Sequence, residues 1–199
     1  MEIKDKIINK IQDSISRRKQ GSIVYVDSFQ GDEEYIGKIL QRMTQEGKLV
    51  RLSRGIYLKP KMTRFGILYP PVDEIVSLVA RRDHAEVLPS GNVALNKLGL
   101  STQVPMTYEF ITTGSARILS LGERTVIFKR SVPRNFAYKG KMTSILIQAL
   151  KAVGQGNVTP EMKTQIRTLY QQNPEKDTID KDLNIAPRWM KELIKPLAQ

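Results

Sequence analysis

Cysteine is absent from the sequence, and His84 is its only histidine. Without thiols the chain can form neither disulfides nor thiolate zinc sites, and a single imidazole excludes most metal and acid–base sites built on histidine. No run approaches the roughly 18 apolar residues of a membrane helix, and the first ten residues lack the apolar stretch of a signal peptide. We therefore expect a cytoplasmic protein without a metal or a cofactor.

The residues that most resemble catalytic or metal-binding groups have simpler explanations. His84 lies beside Asp83 and Glu86, but sequence neighbours do not usually converge on one point, and no serine or cysteine motif accompanies them. The acidic cluster at 177–182 lacks the spacing and the central glycine of a calcium loop. We interpret the histidine as a surface residue and the acidic cluster as helix caps or solvated side chains, and we expect no enzymatic activity.

What the chain has in excess is positive charge, with 32 basic and 20 acidic residues and a net charge of +12. Clustered cations release condensed counterions from nucleic acid, so this excess indicates a polyanionic partner. By segment, the net charge is +4 over residues 1–60, +7 over residues 61–155 and +1 over residues 156–199. The middle segment contains a candidate basic patch, which is either a solvated sheet face or a second electropositive surface: Arg117, Arg124, Lys129, Arg130 and Arg134.

Residues 32–60 read as an amphipathic helix followed by a short basic β-hairpin. Ile36, Leu40 and Met43 recur at helical spacing, and Gly47 predicts the end of the helix. The β-prone runs 49–52 and 55–58 follow it, joined by a turn near Ser53. With a helix over 2–18 and a strand over 22–26 before them, they give the element order of a winged helix-turn-helix over residues 1–61.

The predicted DNA contacts lie on this helix and hairpin. Asp32, Glu33 and Glu34 crowd the amino end of the helix, which suits its dipole but repels phosphate. We therefore place the contacts further along the helix and on the wing: Tyr35, Lys38, Arg42, Arg51, Arg54 and Lys59.

The remainder of the chain predicts a second domain over residues 62–155 and a helical extension packed on it over residues 156–199. Pro60–Pro71 reads as a connection, and helices are predicted at 72–82, 90–98 and 143–153, with Ser90 as a cap of the second. Strands at 106–113, 116–121 and 124–129 are separated by turn residues and predict an antiparallel meander. In the extension, Thr159 and Pro160 predict a helix start, and 187–197 a last short helix. The fold class is α+β, with an α/β second domain around a small antiparallel sheet.

Two stretches are familiar when taken together: LVRLSRGIYLKP at 49–60 and PSGNVALNKLGLSTQVPMTYEFITTG at 89–114. The second is the more specific, because a hairpin with Gly-x-Tyr occurs in many winged helices. The chain resembles the AbiEi-type antitoxins of type IV toxin–antitoxin (abortive infection) systems over nearly its whole length, most loosely after Gly156.

The resemblance implies an N-terminal winged helix joined to a C-terminal antitoxin domain. Such antitoxins counteract a nucleotidyltransferase-like toxin without an obligatory stable complex, and act as autorepressors by binding their own promoter. The positions that keep the family string, and that the resemblance places on an antitoxin surface, are Ser90, Gly91, Asn96, Ser101, Thr102 and Gln103. The residue pattern by itself also allows a structural interpretation, in which the first three belong to a capped helix with exposed polar positions.

Two questions stay open at this stage. The basic patch could extend the DNA footprint, or meet the toxin or the nucleic-acid substrate of the toxin. The whole protein could instead be a winged-helix transcriptional regulator whose second domain senses a ligand or dimerises.

Overall fold

A computed structural model describes residues 2–198, with side chains from Asp5 onward. Within this range the chain is α+β, built from helices and small β-sheets. It divides into two units: residues up to Val79 together with Ile118–Glu123, and Ala80–Arg117 together with the residues from Arg124 onward. The predicted boundary after residue 61 therefore falls inside the first unit. Residues 1 and 199, which the predicted first and last segments include, lie outside the described range.

The first unit begins with the element order expected from the sequence. Its elements up to residue 58 are α1 (Glu2–Arg17), β1 (Ile23–Tyr25), a 3-10 turn (Val26–Ser28), α2 (Glu33–Gln45), β2 (Val50–Ser53) and β3 (Ile56–Leu58). The strands form a three-stranded sheet in the order β1-β3-β2, with both outer strands antiparallel to β3.

Helix α2 forms where the apolar spacing and the terminal residues predict it. Ile36, Leu40 and Met43 are buried, and they pack in one core with residues of α1 and of the sheet. The Asp32 carboxylate accepts a hydrogen bond from the backbone N–H of Tyr35 at 2.7 Å and so caps the first turn. Gly47, at φ +72°, takes the left-handed conformation that closes the helix.

Residues 60–71 contain a second β-hairpin, so the interpretation of this segment as a plain connection is wrong. Strand β4 (Lys61–Thr63) pairs antiparallel with β5 (Gly66–Leu68), and Arg64 and Phe65 form the two-residue turn. The sequence signal is weak because each strand has three residues and the turn lacks the Asn-Gly or Asp-Gly pair typical of tight hairpins. Helix α3 (Val72–Arg82) follows where it is predicted.

The second unit is built around a sheet whose connectivity differs from the predicted meander. Strands β6 (Val87–Pro89), β7 (Thr107–Thr112) and β9 (Arg124–Arg130) lie side by side in that order. Strand β6 is antiparallel to β7, whereas β9 is parallel to β7, so β8 (Arg117–Leu121) does not lie between them as a meander requires.

The pairing of β7 with β9 brings two buried aromatic side chains together. The parallel register places Phe110 opposite Phe128, and their rings stack with centroids 6.0 Å apart. Both phenylalanines are buried, whereas residues 118–123, which contain most of β8, belong to the first unit. The turn residues do separate the strands, but the turn at Gly114 and Ser115 does not make β7 and β8 neighbours in the sheet.

The helices of the second unit include those of the predicted C-terminal extension. They are α4 (Gly91–Lys97), α5 (Lys141–Val153), α6 (Pro160–Gln172), α7 (Ile179–Ile185) and α8 (Arg188–Ile194), with 3-10 turns at Pro133–Phe136 and Gln155–Asn157. Thr159 caps α6 as predicted, accepting from the N–H of Met162. Ile166, Leu183 and Ile194 share one apolar core with Leu146 of α5, so the extension is part of the second unit's core.

The amino end of α5 is closed by two carboxylates from that extension. The Asp182 carboxylate accepts from the backbone N–H groups of Lys139 and Gly140, at 2.8 and 2.7 Å. The Glu175 carboxylate accepts from the N–H groups of Met142 and Thr143, at 2.8 and 3.0 Å. The start of a helix leaves N–H groups without intrahelical partners. These two side chains therefore accept hydrogen bonds from N–H groups that would otherwise be without a partner. The prediction that acidic residues of the tail cap helices is confirmed for Asp182.

Gly140 permits this approach because a side chain there would overlap the carboxylates of both Glu175 and Asp182. The Thr143 hydroxyl extends the network, donating to Glu175 at 2.8 Å and lying 2.9 Å from the Tyr170 hydroxyl. Burial raises the pKa of Tyr170 to about 12, so the phenol stays protonated at neutral pH and can take part as a neutral group.

The helices of the described residues are too short or too polar to cross a membrane.

Replacing Asp182 by asparagine is expected to lower the free energy of unfolding by about 2–3 kcal/mol, because two hydrogen bonds to a buried charged acceptor are weakened or lost. Urea unfolding followed by circular dichroism measures the change. Asp180→Asn makes the same chemical change at an exposed position of α7 and is expected to shift stability by less than about 0.5 kcal/mol. Equal effects of the two variants would contradict the capping role.

Candidate nucleic-acid interface

One face of α2 carries exposed polar side chains at helical spacing. Lys38, Gln41, Arg42 and Gln45 occupy positions i, i+3, i+4 and i+7, which lie above one another on one side of a helix, and all four are polar residues outside the core. The opposite side holds the apolar residues of the core. Two of these side chains are predicted contacts, whereas Gln41 is not among them, although the same spacing rule identifies it.

The two cations of this face form exposed ion pairs within the helix and its carboxyl end. Lys38 lies 2.8 Å from Glu34, and Arg42 lies 3.2 Å from Glu46. The hydrogen bond that Lys38 donates to Glu34 is the main reason that the pKa of Lys38 is raised, and the hydrogen bond that Lys48 donates to Glu46 is the main reason that the pKa of Glu46 is lowered. Exposed pairs of this kind contribute little stability. Each cation can therefore exchange its carboxylate for a phosphate or a base edge at low cost.

Tyr35, the first of the predicted helix contacts, is only half-exposed. It lies at the third position of α2, and its ring packs against the core of the first unit. Only part of the Tyr35 side chain is therefore available to a partner, because the rest packs against the core.

The hairpin β2–β3 presents two further predicted cations. Arg51 and Arg54 are both exposed, and Arg54 precedes Gly55, whose φ of +74° belongs to the turn. No acidic residue occurs between Gly47 and Val72, a stretch that contains six lysines and arginines. Among the described residues neither arginine takes part in an ion pair. The hairpin is therefore electropositive without internal compensation.

Lys59, the last predicted DNA contact, is used inside the fold. Its ammonium group donates to the carbonyls of Ile15, Ser16 and Arg18, at 3.0, 2.8 and 2.6 Å. These carbonyls lie at the carboxyl end of α1, where a cation also compensates the helix dipole. All three of its donors are thus directed at the chain itself, and we do not carry Lys59 into the interface.

The predicted basic patch of the second unit is partly neutralised. Arg117 forms an ion pair with Asp83, and both side chains are largely buried. Lys129 pairs with Glu109 of the neighbouring strand at 2.8 Å, and Arg134 donates to the carbonyl of Ile185. Strand alternation places Arg124 and Arg130 on the other side of β9 from Lys129. The five cations therefore do not act as one continuous patch.

Lys151 stands apart from the patch and is shaped by its surroundings. Burial, with a smaller contribution from Arg134, lowers its pKa. Its ammonium group donates to the side-chain oxygen of Asn135 at 2.6 Å. Lys151 and Arg134 thus both take part in hydrogen bonds at the 133–136 turn.

Within the 89–114 string, the structure separates scaffold residues from surface residues. Asn96 donates to the carbonyls of Ser101 and Gln103, at 3.3 and 3.1 Å, and so holds the loop after α4. Ser90 precedes α4, but its side chain makes no capping hydrogen bond, so that prediction is wrong. Its backbone N–H instead donates to the carbonyl of Glu109, because strand pairing between β6 and β7 directs this residue.

The remaining string residues differ in exposure. Gly91 has φ +55°, and a Cβ there would come within 3.2 Å of the Glu109 carboxylate. Thr102 and Gln103 are exposed, Ser101 is half-buried, and the neighbouring Val104 is 74% exposed. The loop therefore offers a short polar and apolar surface, supported from below by Asn96.

Of the residues considered as catalytic candidates, one is exposed and another forms an ion pair. His84 lies at the surface and takes a left-handed conformation, φ +47°, at the end of α3. Asp83 pairs with Arg117 rather than with His84. Among the side chains that the structure describes, Asp5 to Ala198, no three histidine or acidic groups come together as a metal site.

Replacing Lys59 by methionine is expected to lower the free energy of unfolding by about 1–3 kcal/mol, since the carbonyls at the end of α1 lose a charged donor. Lys61→Met removes the same charge from an exposed position two residues further along and is expected to be within about 0.5 kcal/mol of the unchanged protein. Thermal and urea unfolding compare the two variants. Equal stability of both would show that the three hydrogen bonds of Lys59 contribute nothing.

Comparison with known proteins places the chain in a family without giving it a function. No curated protein and no solved structure matches it. One family model matches residues 10–178, which include α2, both hairpins and most of the second unit. The chain therefore belongs to the family of unknown function DUF6088.

Proposed function

We propose that the protein is an antitoxin and autorepressor, whose first unit binds the promoter of its own operon and whose second unit counteracts a nucleotidyltransferase-like toxin. The observation that carries the DNA-binding half is the exposed face of α2 beside a hairpin whose cations have no acidic neighbour in sequence. The antitoxin half rests on the resemblance to the AbiEi-type family.

The topology of the first unit supports a winged helix-turn-helix. The hairpin β2–β3 follows α2, which is the position of a wing, and β1, which precedes α2, completes the three-stranded sheet in the order β1-β3-β2. The 3-10 turn Val26–Ser28 stands where the motif has its first helix. Its N–H at Val26 donates to the carbonyl of Gly55 in the wing turn, at 3.1 Å, so the turn and the wing are braced against each other.

The chemistry of the α2 face suits the major groove. Glutamine can form paired hydrogen bonds with the N6 and N7 edge of adenine, and arginine or lysine with O6 and N7 of guanine. Gln41 and Gln45 alternate with the two cations along this face, whereas the acidic residues Glu33 and Glu34 occupy the first turn. We infer that the middle of α2 reads base edges, and that Arg51 and Arg54 neutralise phosphates beside it.

The second unit is proposed to meet the toxin through the loop after α4. The string that resembles the antitoxin family includes this loop, and Thr102, Gln103 and Val104 are exposed on it. Asn96 fixes the loop from α4, so the surface is pre-organised rather than formed on binding. The paired cations Arg117 and Lys129 are not part of this proposed surface.

The double variant Arg51→Glu/Arg54→Glu is expected to weaken binding to a fragment carrying the promoter region, at least tenfold near physiological salt. The slope of log K against log salt should also become shallower by about 0.9 for each phosphate that the variant no longer neutralises. Lys163→Glu/Lys181→Glu reverses two exposed lysines of the second unit, makes the same change in net charge, and is the control. Fluorescence anisotropy over a salt series measures both quantities. Unchanged affinity and slope in the double variant would remove the wing from the proposed interface.

Co-expression with the toxin tests the proposed antitoxin activity. Full-length protein is expected to restore growth of cells that express a nucleotidyltransferase-like reading frame from the same operon, and Thr102→Ala/Gln103→Ala is expected to lose this rescue while keeping promoter binding. Gln155→Ala/Gln172→Ala removes two exposed polar side chains elsewhere in the second unit and should rescue normally. Promoter binding without any rescue by the unchanged protein would favour a transcriptional regulator whose second domain senses a ligand or dimerises.

A further inference from the structure

We propose that the hairpin β4–β5, residues 61–68, is a second DNA-binding element, and that Phe65 at its tip inserts against a base step of the duplex. This inference rests on the proposed promoter binding and adds an element to it. The sequence gives the hairpin no role, since residues 60–71 read as a connection.

The tip exposes an aromatic side chain that the fold does not use. Phe65 is 85% exposed, and Met62 and Leu68 on the adjoining strands are 65% and 50% exposed. Every side chain of β4 is exposed. Burying an aromatic ring is among the largest apolar contributions a single residue can make, so a ring left outside at a hairpin tip is available to a partner.

The tip is also held rigid. The Thr63 hydroxyl donates to the carbonyl of Gly66 at 2.9 Å and accepts from the backbone N–H of Phe65 at 3.2 Å. The Arg64 guanidinium lies over the Phe65 ring, 4.6 Å from its centroid. The backbone that carries the ring is therefore fixed before binding, and the ring and the cation are presented together.

The base of the hairpin is fixed to the rest of the first unit. Only Lys59 and Pro60 separate β3 from β4, and the Lys59 ammonium is held by three carbonyls at the end of α1. The backbone N–H of Lys59 also donates to the carbonyl of Ser22, at 2.9 Å. Lys59 is thus a positioning residue that sets where the second hairpin leaves the sheet.

Charge identifies the partner as duplex DNA. Lys61 and Arg64 flank the exposed apolar side chains, and the acid-free stretch from Gly47 to Val72 includes both hairpins. Arginine and aromatic residues also occur at the centre of protein-docking patches, so the argument for a polyanion rests on the run of cations without an acidic residue, and not on the ring. Architectural DNA-binding proteins combine the same two features, with cations on the backbone and an apolar wedge that partly unstacks a base step and bends the duplex.

The test uses the full-length protein and the promoter fragment of its own operon, with affinity measured over a salt series and bending measured by circular-permutation gel mobility. Phe65→Ala is expected to lower affinity about fivefold to a hundredfold, the range for loss of one stacked aromatic side chain, to reduce the bend, and to leave the salt slope unchanged. Arg64→Ala is expected to make the slope shallower by about 0.9. Phe65→Tyr keeps a stacking ring and should restore both affinity and bend.

Val132→Ala, which truncates a 61% exposed apolar side chain of the second unit, is the matched control and should bind as the unchanged protein does. If the Arg51→Glu/Arg54→Glu variant loses binding while both tip variants bind and bend normally, the inference is overturned and the proposed function stands. If the tip variants bind DNA normally but change the oligomeric state or lose toxin neutralisation, the hairpin is a protein-docking element and the inference is again wrong. If the unchanged protein does not bind the fragment, both proposals fail together.

Discussion

The second unit depends on the closure of α5 by carboxylates that come from the C-terminal helices. Most residues of α5 are buried. The two N–H groups just before the helix donate to Asp182, and two in its first turn donate to Glu175. Buried N–H groups without partners would cost more than a single hydrogen bond gains, so these acceptors from the tail stabilise the core around α5. Ile166, Leu183 and Ile194 of the C-terminal helices also share one apolar core with α5. These helices are therefore an integral part of the second unit.

In the first unit, a positive charge closes the carboxyl end of a helix, whereas in the second unit negative charges close an amino end. Lys59 closes the carboxyl end of α1, as Asp182 closes the amino end of α5, and both charges come from residues distant in sequence. In each case the helix dipole favours the sign of the charge that is present. Both residues are charged types that often serve in binding sites, and the hydrogen bonds they make to helix ends show that their role here is structural.

With these charges assigned to the fold, four exposed cations remain on one segment of the first unit. Arg51, Arg54, Lys61 and Arg64 lie in the stretch without acidic residues, whereas Arg117 and Lys129 of the second unit are paired. The net charge of the middle segment is higher in sequence, but pairing reduces what it can offer to a polyanion. A family without an assigned function thereby gains a specific hypothesis, in which two successive hairpins and the face of α2 meet DNA.

Much of the local structure follows from the sequence. The amphipathic spacing of Ile36, Leu40 and Met43, Gly47 after them, and Thr159 before Pro160 determined helix positions to within a residue or two, because capping and periodicity are local interactions. The exposed face of α2 followed from the same spacing. The parallel pairing of β7 with β9, the β4–β5 hairpin and the roles of Lys59 and Asp182 did not follow. The pairing and the two charged contacts depend on atoms brought together across long sequence separations, and the hairpin has too few residues to give a clear local signal. Only the packed chain decides whether a charged side chain meets solvent, a partner or its own backbone.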